Sequence, residues 1–222
     1  MTEAPQSLRD VLRALPSFPA ELPAFDTAAA PADPVALFLR WLRDAIAEKI
    51  LGPHAMTLAT ADDTGRVSSR VLICKDVDGT GRWYFASSAD SLKGRDLAAR
   101  PHAALSFYWP QQGRQIRIRG TVAPAGAEAS AADFLARAPA SRAEALAGRQ
   151  SQPLADPAEL DEALRRAAAK LAASPDLVAP AWTLYALSAD DVEFWQADHQ
   201  RRHVRLRYRR TDGAWTRTLL WP

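Results

Sequence analysis

The chain has 222 residues, 28 Lys plus Arg against 26 Asp plus Glu for a formal net charge of +2, and 48% hydrophobic residues. That length and apolar content suit one domain or a small pair with a substantial core, and they argue against a long disordered chain. The near-balance of charge gives no reason to expect nucleic acid as a partner, and the single cysteine, Cys74, excludes an intrachain disulfide. With no apolar run long enough to span a bilayer and no apolar leader in the first twenty residues, a cytoplasmic protein free of membranes is the expectation.

Residues 1–33 read as an N-terminal arm. Ser7 is placed to cap a short helix reaching Leu15, and the prolines from Pro16 to Pro34 favour an extended path. One domain then fills residues 34–222. It opens with a helix over Pro34–Ile50, capped by Asp33 with Pro34 in the first turn, whose apolar stripe is Leu37, Phe38, Trp41, Leu42, Ala45 and Ile46. The period then changes to two. His54–Thr60, Val67–Lys75, Arg82–Ala86, Ala103–Trp109 and Gln115–Val122 read as strands, separated by Gly- and Asp-rich turns and a short helix over Ser91–Ala99. In Gln115–Arg119 the alternation is strict, with Ile116 and Ile118 on one face and Gln115, Arg117 and Arg119 on the other. Three Ala-rich helices follow, over Glu128–Ala136, Ser141–Arg149 and Asp156–Ala173. Strands return at Trp182–Leu187, Val192–Gln196, Val204–Arg209 and Ala214–Leu220. The pattern predicts an α+β domain built around a small antiparallel barrel.

Dinucleotide, phosphate-loop and zinc-protease signatures are absent, and the four histidines lack metal-ligand spacing, so no metal is expected. Arg201–Arg210 carries six arginines and no acid, which suits an anionic ligand, RNA or a solvated strand face; charge alone does not decide. In Ser68–Lys75, Arg70, Leu72 and Cys74 face one way and Val71, Ile73 and Lys75 the other. On spacing alone Arg70 and Lys75 are edge charges before they are ligand contacts.

Six segments in order carry a resemblance. They are Ala55–Thr60 with Gly65 and Ser69–Lys75; Ser91-Leu92-Lys93-Gly94; Phe107-Tyr108-Trp109; Arg114–Gly120; Glu193-Phe194-Trp195-Gln196 with Arg201–Arg205; and Trp215 with the terminal Pro222. Together they resemble the FMN-binding split-barrel oxidases of the pyridoxamine/pyridoxine 5′-phosphate oxidase family, from about Asp33 to Pro222. The resemblance implies an antiparallel split barrel with flanking helices. It implies oxidation of pyridoxamine or pyridoxine 5′-phosphate to the aldehyde, with oxygen as acceptor. It also implies a homodimer with FMN at the interface and a C-terminal dimerisation and substrate segment at 180–222.

Residue by residue, the resemblance assigns FMN contacts to Arg70, Val71, Leu72, Ile73, Cys74, Lys75, Phe85, Ala86, Lys93, Gln115, Gln150, Ser151, Trp195 and Arg205. It assigns the substrate to Lys75, Arg137, Ser141, Arg201, Arg202 and His203, with Lys75, Arg137 and Ser141 on a phosphate and Arg201 and His203 over the ring as the catalytic pair. Arg201, His203 and Arg205 would share one face of an extended segment. Without the family, Trp195 reads as core and Gln115 as an exposed strand residue.

Some positions depart from the family. Leu92 and Leu219 stand where arginines are usual, Asp133 where a tyrosine meets the substrate phosphate, and Leu184 within what is usually W-G-G-Y. The arm lacks the usual R-x-x-Y. Leu8–Phe25, Ser68-Ser69 and Arg205–Tyr208 also resemble the related flavin oxidases of phenazine biosynthesis. Oxidation of another ring compound, and a low-turnover flavin- or pyridoxal-phosphate-binding protein, are therefore the alternatives.

Overall fold

The computed structural model describes residues 7–222. The arm begins with α1 (Leu8–Ala14), whose Ser7 cap accepts from the Asp10 N–H as its sequence position foretells. Thereafter the arm runs without helix or strand, turning at residues 26–30, to α2 (Pro34–Ala47), where Asp33 Oδ1 accepts from the Val35 N–H and Pro34 opens the first turn. The predicted stripe of α2 is its buried face: Leu37, Phe38, Trp41 and Ala45 enter the core, whereas Ile46 stays exposed.

Nine antiparallel strands form one curled sheet: β1 (Ala55–Ala61), β2 (Val67–Ile73), β3 (Asp76–Val77), β4 (Arg82–Ser88), β5 (His102–Trp109), β6 (Arg114–Pro124), β7 (Trp182–Gln196), β8 (Val204–Thr211) and β9 (Ala214–Leu219). The order is β2-β1-β5-β6-β7-β4-β3, with β8 on β7 and β9 on β8. Between β4 and β5 lies α3 (Leu92–Ala99). Between β6 and β7 lie α4 (Ala127–Leu135), α5 (Pro139–Ala147) and α6 (Pro157–Ala173).

The two strands expected at Trp182–Leu187 and Val192–Gln196 are one strand of 15 residues. The first half of β7 pairs with β4 and the second half with β8, while β6 runs along its other edge. A register shift between Arg119 and Gly120 bends the β6–β7 ladder. Gly120 is required there, because a Cβ would stand 2.0 Å from the Ser188 carbonyl oxygen. The short β3 was not foreseen; two residues are too few for a period to register.

The concave side of the sheet is filled by α2. Phe38 packs edge-on against Trp83 and Phe107, and Trp41 against Phe194, with centroid separations of 5.0–6.0 Å. Truncating a buried aromatic such as Phe38 to alanine would cost about 3–5 kcal/mol. Arg114 ties the plug to the sheet: it stacks 4.4 Å over Trp41, donates to Asp44 at 3.0 Å and to Gln196 at 3.2 Å. Ile116 and Ile118 are fully buried, while Arg117 and Arg119 face out, as their alternation requires.

Candidate active site

Two cavities take in part of the predicted residues; Arg70, Cys74, Phe85, Lys93, Ser151, Arg201, Arg202 and His203 line neither. The first, about 490 Å³, is lined by Val71, Leu72, Ile73, Lys75, Ala86, Ser87, Arg137, Ser141, Glu144, Gln150 and Trp182. The second, about 410 Å³, is lined by Phe18, Gln115, Arg117, Glu193, Trp195 and Arg205, with Tyr108 and Pro222 at its edge. They share no residue. A larger cavity of about 610 Å³, walled by Thr60, His102, Arg119, Asp191 and Arg209, contains none of the predicted site residues. Its Arg119 and Asp191 are already paired with each other at 3.1 Å.

At the floor of the first cavity β4 meets α3. Lys93 is 6% exposed, and its Nζ donates to Ser87 Oγ at 3.0 Å, Ser91 Oγ at 3.2 Å and Gln150 Oε1 at 3.1 Å. Burial, and then repulsion from Arg70, pushes this ammonium below the ordinary lysine value. Ser91 also caps α3 by accepting from the Gly94 N–H. A Cβ on Gly94 would lie 2.2 Å from the Ala89 carbonyl oxygen, so only glycine lets α3 pack this closely on the turn that follows β4. Ser151 Oγ accepts from the Leu92 N–H at 3.3 Å, bringing the 148–151 loop to the same helix end. Arg70 reaches inward from β2 and donates to Thr60 Oγ1 at 2.8 Å and Ser68 Oγ at 2.6 Å. Both hydroxyls also lie beside Asp96. Two neighbouring cations, hydrogen-bonded to hydroxyls and an amide, are the donor set that an anionic phosphate completes.

The rim of that cavity carries Lys75, Arg137 and Ser141. The Arg137 guanidinium stacks 3.9 Å over Trp182, and its Nη2 lies 3.7 Å from Glu144. Its Nη1 is buried with no hydrogen-bond partner. Lys75 Nζ is 3.1 Å from Asp133 Oδ1.

In the second cavity Trp195 is a half-buried wall, its ring tilted against His203 at 4.9 Å and against Phe18 of the arm at 5.8 Å. Gln115 lies opposite it in register on β6, and it too is half-buried rather than exposed. Arg205 donates to Glu193 Oε1 at 2.8 Å, and Arg117 pairs with the other oxygen. Burial raises the Glu193 carboxyl, but the hydrogen bonds from Arg205 and Arg117 outweigh it and hold the group below its ordinary value.

Three expectations change. Arg201 and His203 do not share a face of an extended segment. Asp198 Oδ1 accepts from the N–H groups of Gln200 and Arg202, folding 198–202 into a turn in which Arg201 takes φ 64°. His203 Nδ1 accepts from the Asp198 N–H at 3.1 Å, so in the neutral ring the proton sits on Nε2. Arg202 is exposed. Secondly, the Phe85 side chain is fully buried, stacked on Tyr185 at 5.5 Å, and belongs to the core. Thirdly, Cys74 turns from the first cavity into an apolar one with Phe38 and Phe107; burial pushes its thiol up to about 12. Any contact of Phe85 or Cys74 with a ligand is through backbone.

Ser87, Ser91, Trp182, Glu193 and Phe18 join the site without having been singled out for it. Ser87 could have been found by continuing the alternation from Phe85; the others depend on register or on distant chain.

A curled antiparallel sheet with a phosphate-type donor set beside an open groove defines an FMN-binding split barrel. Residues 42–196 match the family Pyridoxamine 5′-phosphate oxidase, and residues 182–222 match its C-terminal dimerisation region. The chain belongs to the pyridoxamine 5′-phosphate oxidase family and is an FMN-dependent oxidoreductase of that type. It is 41% identical over 195 residues to the pyridoxine/pyridoxamine 5′-phosphate oxidase of Pseudomonas paraeruginosa, covering 87% of this chain and 90% of that one. The enzyme of the same name from Hyphomonas neptunium is 40% identical over 192 residues, 86% and 87% of the two chains. Among solved structures, PhzG from Burkholderia lata in complex with tetrahydrophenazine-1-carboxylic acid superposes with a TM-score of 0.81 at 34% identity, covering 90% of this chain and 99% of that one. An FMN-binding protein from Nostoc punctiforme shares the fold, with a TM-score of 0.69 at 18% identity over 86% and 98% of the chains. No helix among the described residues is long and apolar enough to cross a membrane.

Proposed function

We propose that this protein oxidises pyridoxamine or pyridoxine 5′-phosphate to the aldehyde, using FMN and oxygen, as a homodimer whose sites each draw on both chains. The observation that carries this reading is the convergence on one cavity of Val71, Leu72, Ile73, Lys75 and Gln150 with Arg137 and Ser141, and Lys93 bonded behind it to the lining residues Ser87 and Gln150. Lys93 and Arg70 would hold the FMN phosphate, aided by Gln150 and Ser151, with Val71–Ile73 and Ala86 along the ring. Gln115, Trp195 and Arg205 would complete the site from the second chain, since the cavity they line stands apart from the first. Bound FMN would supply the redox chemistry, a hydride acceptor for the substrate and a two-electron donor to oxygen that gives hydrogen peroxide, with water completing the aldehyde and releasing ammonia when the substrate is the amine.

The chain's own residues bind and orient. Arg137 and Ser141, both lining the first cavity, would receive the substrate tail. His203, its Nδ1 held by the Asp198 N–H, presents Nε2–H to the ring. Arg201 and Arg202 lie on the adjoining turn. The described part of the arm, residues 7–33, would lie over this site through Phe18, and residues 34–222 would form the catalytic domain with its dimerisation segment at 180–222.

A second reading is oxidation of a ring carboxylate, of the kind bound to PhzG. The internal pairing of Lys75 with Asp133, which lowers the demand for a phosphate, favours it. The test is aerobic incubation of FMN-loaded protein with pyridoxamine and pyridoxine 5′-phosphates and their unphosphorylated forms, following aldehyde and peroxide. Aldehyde formation with one peroxide per turnover is the expected result; FMN-loaded protein inert towards all four would remove the pyridoxal reading.

A further inference from the structure

We propose that Asp133 sets how the site responds to charge on the substrate tail, by holding Lys75 in an internal ion pair; this rests on the substrate reading above. Both carboxylate oxygens of Asp133 are committed to residues of the cavity wall. Oδ1 lies 3.1 Å from Lys75 Nζ, and Oδ2 accepts from Trp182 Nε1 at 2.8 Å. The Asp133 side chain is 13% exposed. Its helix is docked, because Phe134 is fully buried and Ser130 Oγ accepts from the Leu184 N–H while donating to the Gly126 carbonyl. Asp133 is therefore fixed behind Lys75 rather than swinging in solvent.

Charge on the rim follows from this. Lys75 faces Asp133 and Arg137 faces Glu144 at 3.7 Å, so two cations are set against two carboxylates. A phosphate dianion entering at Lys75 must compete with a carboxylate already in place, and like charges at such range repel. An uncharged hydroxymethyl tail meets no such competition, and a singly charged carboxylate meets less of it than a dianion. The site thus accepts a ring substrate with a neutral or singly charged tail nearly as well as its phosphate ester, and Asp133 is the residue responsible.

The test uses FMN-loaded wild type and Asp133→Asn. Asparagine still offers Oδ1 to the Trp182 N–H, so the fold is retained while the charge is lost. Dissociation constants for pyridoxal 5′-phosphate and pyridoxal, read by fluorescence quenching, are measured beside kcat/KM for pyridoxamine and its phosphate. Wild type should separate the two ligands by less than about tenfold, and Asp133→Asn should tighten the phosphate ester roughly ten- to hundredfold while leaving pyridoxal within about threefold. Lys75→Met added to Asp133→Asn should abolish that gain, because the two residues act as a pair. An unchanged phosphate affinity in folded Asp133→Asn, an equal gain for pyridoxal, or no binding of pyridoxal 5′-phosphate by either protein would overturn the proposal. Lack of turnover with every pyridoxamine form removes the substrate reading alone, because the binding measurements decide the role of Asp133 without catalysis.

Discussion

Lys93 Nζ donates to Gln150 Oε1 at 3.1 Å, joining residues 57 positions apart and fixing the 148–151 loop against the start of α3. Lys93 is the buried cation beside Arg70, so Lys93→Ala should weaken FMN binding roughly ten- to hundredfold, the worth of one charge-assisted hydrogen bond. Fluorescence titration of the stripped protein reads this directly. Unchanged affinity would show that the phosphate lies elsewhere.

The same lysine makes FMN binding pH-dependent. Burial and Arg70 lower its proton affinity below the ordinary value of 10.5. As pH rises through that lowered value, the stripped protein loses the proton that the phosphate requires, so FMN affinity should fall before an ordinary lysine would titrate. Lys93→Arg, which stays charged, should flatten the decline. A wild-type profile level up to pH 10.5 would contradict the assignment.

Glu193 links β6 and β8 through Arg117 and Arg205. Its folded-state proton affinity is lowered, so the linkage contributes stability above the ordinary value of 4.5 and loses it as pH falls through the folded value. Glu193→Gln should cost about 1–3 kcal/mol at neutral pH. The deficit should shrink on acidification, as urea melts at several pH values would reveal.

Phe18 anchors the arm on Trp195 and His203, and the arm is further tied by His199 Nε2 donating to the Ala20 carbonyl at 3.1 Å. Phe18→Ala removes an aromatic contact of about 0.5–1.5 kcal/mol, which corresponds to a rise in KM of roughly two- to tenfold. Faster proteolysis within the arm should accompany it. An unaltered KM and digestion rate would detach the arm from the site.

A shared site predicts complementation. Lys93→Ala damages the first cavity and Arg205→Ala the second, so mixed dimers contain one intact site and one doubly damaged site. At an FMN concentration that loads wild type but neither mutant, random reassociation of the two proteins should restore about a quarter of wild-type activity. No recovery, with subunit exchange verified, would place both cavities' residues in separate roles.

What was legible in the sequence was mainly local. Ser7 and Asp33 cap the helices they precede, and the alternation of Gln115–Arg119 puts Ile116 and Ile118 inside. The β7 segment around Asp191 reads as a break because it is polar. In the fold Asp191 is buried within a continuous strand, its charge met by Arg119 and Arg207 from both neighbours. Local patterning carries no register, so those partners were not visible. For the same reason the sequence shows Asp133 only as a departure from the family, without its pairing to Lys75 between β2 and β3. The turn at Arg201 was hidden differently: the Asx chemistry of Asp198 overrides the extended geometry that the next strand encouraged.

The length of β7 acts as a ruler. Trp182, at its first residue, walls one cavity, and Trp195, one residue from its end, walls the other. At about 3.3 Å per residue the two half-sites of a chain stand at most roughly 43 Å apart along the strand. In a dimer with exchanged halves, the same span bounds the separation of its two flavins. Deleting two residues from β7 would keep every side chain on its face yet shorten the span by about 7 Å, throwing both sites out of step at once.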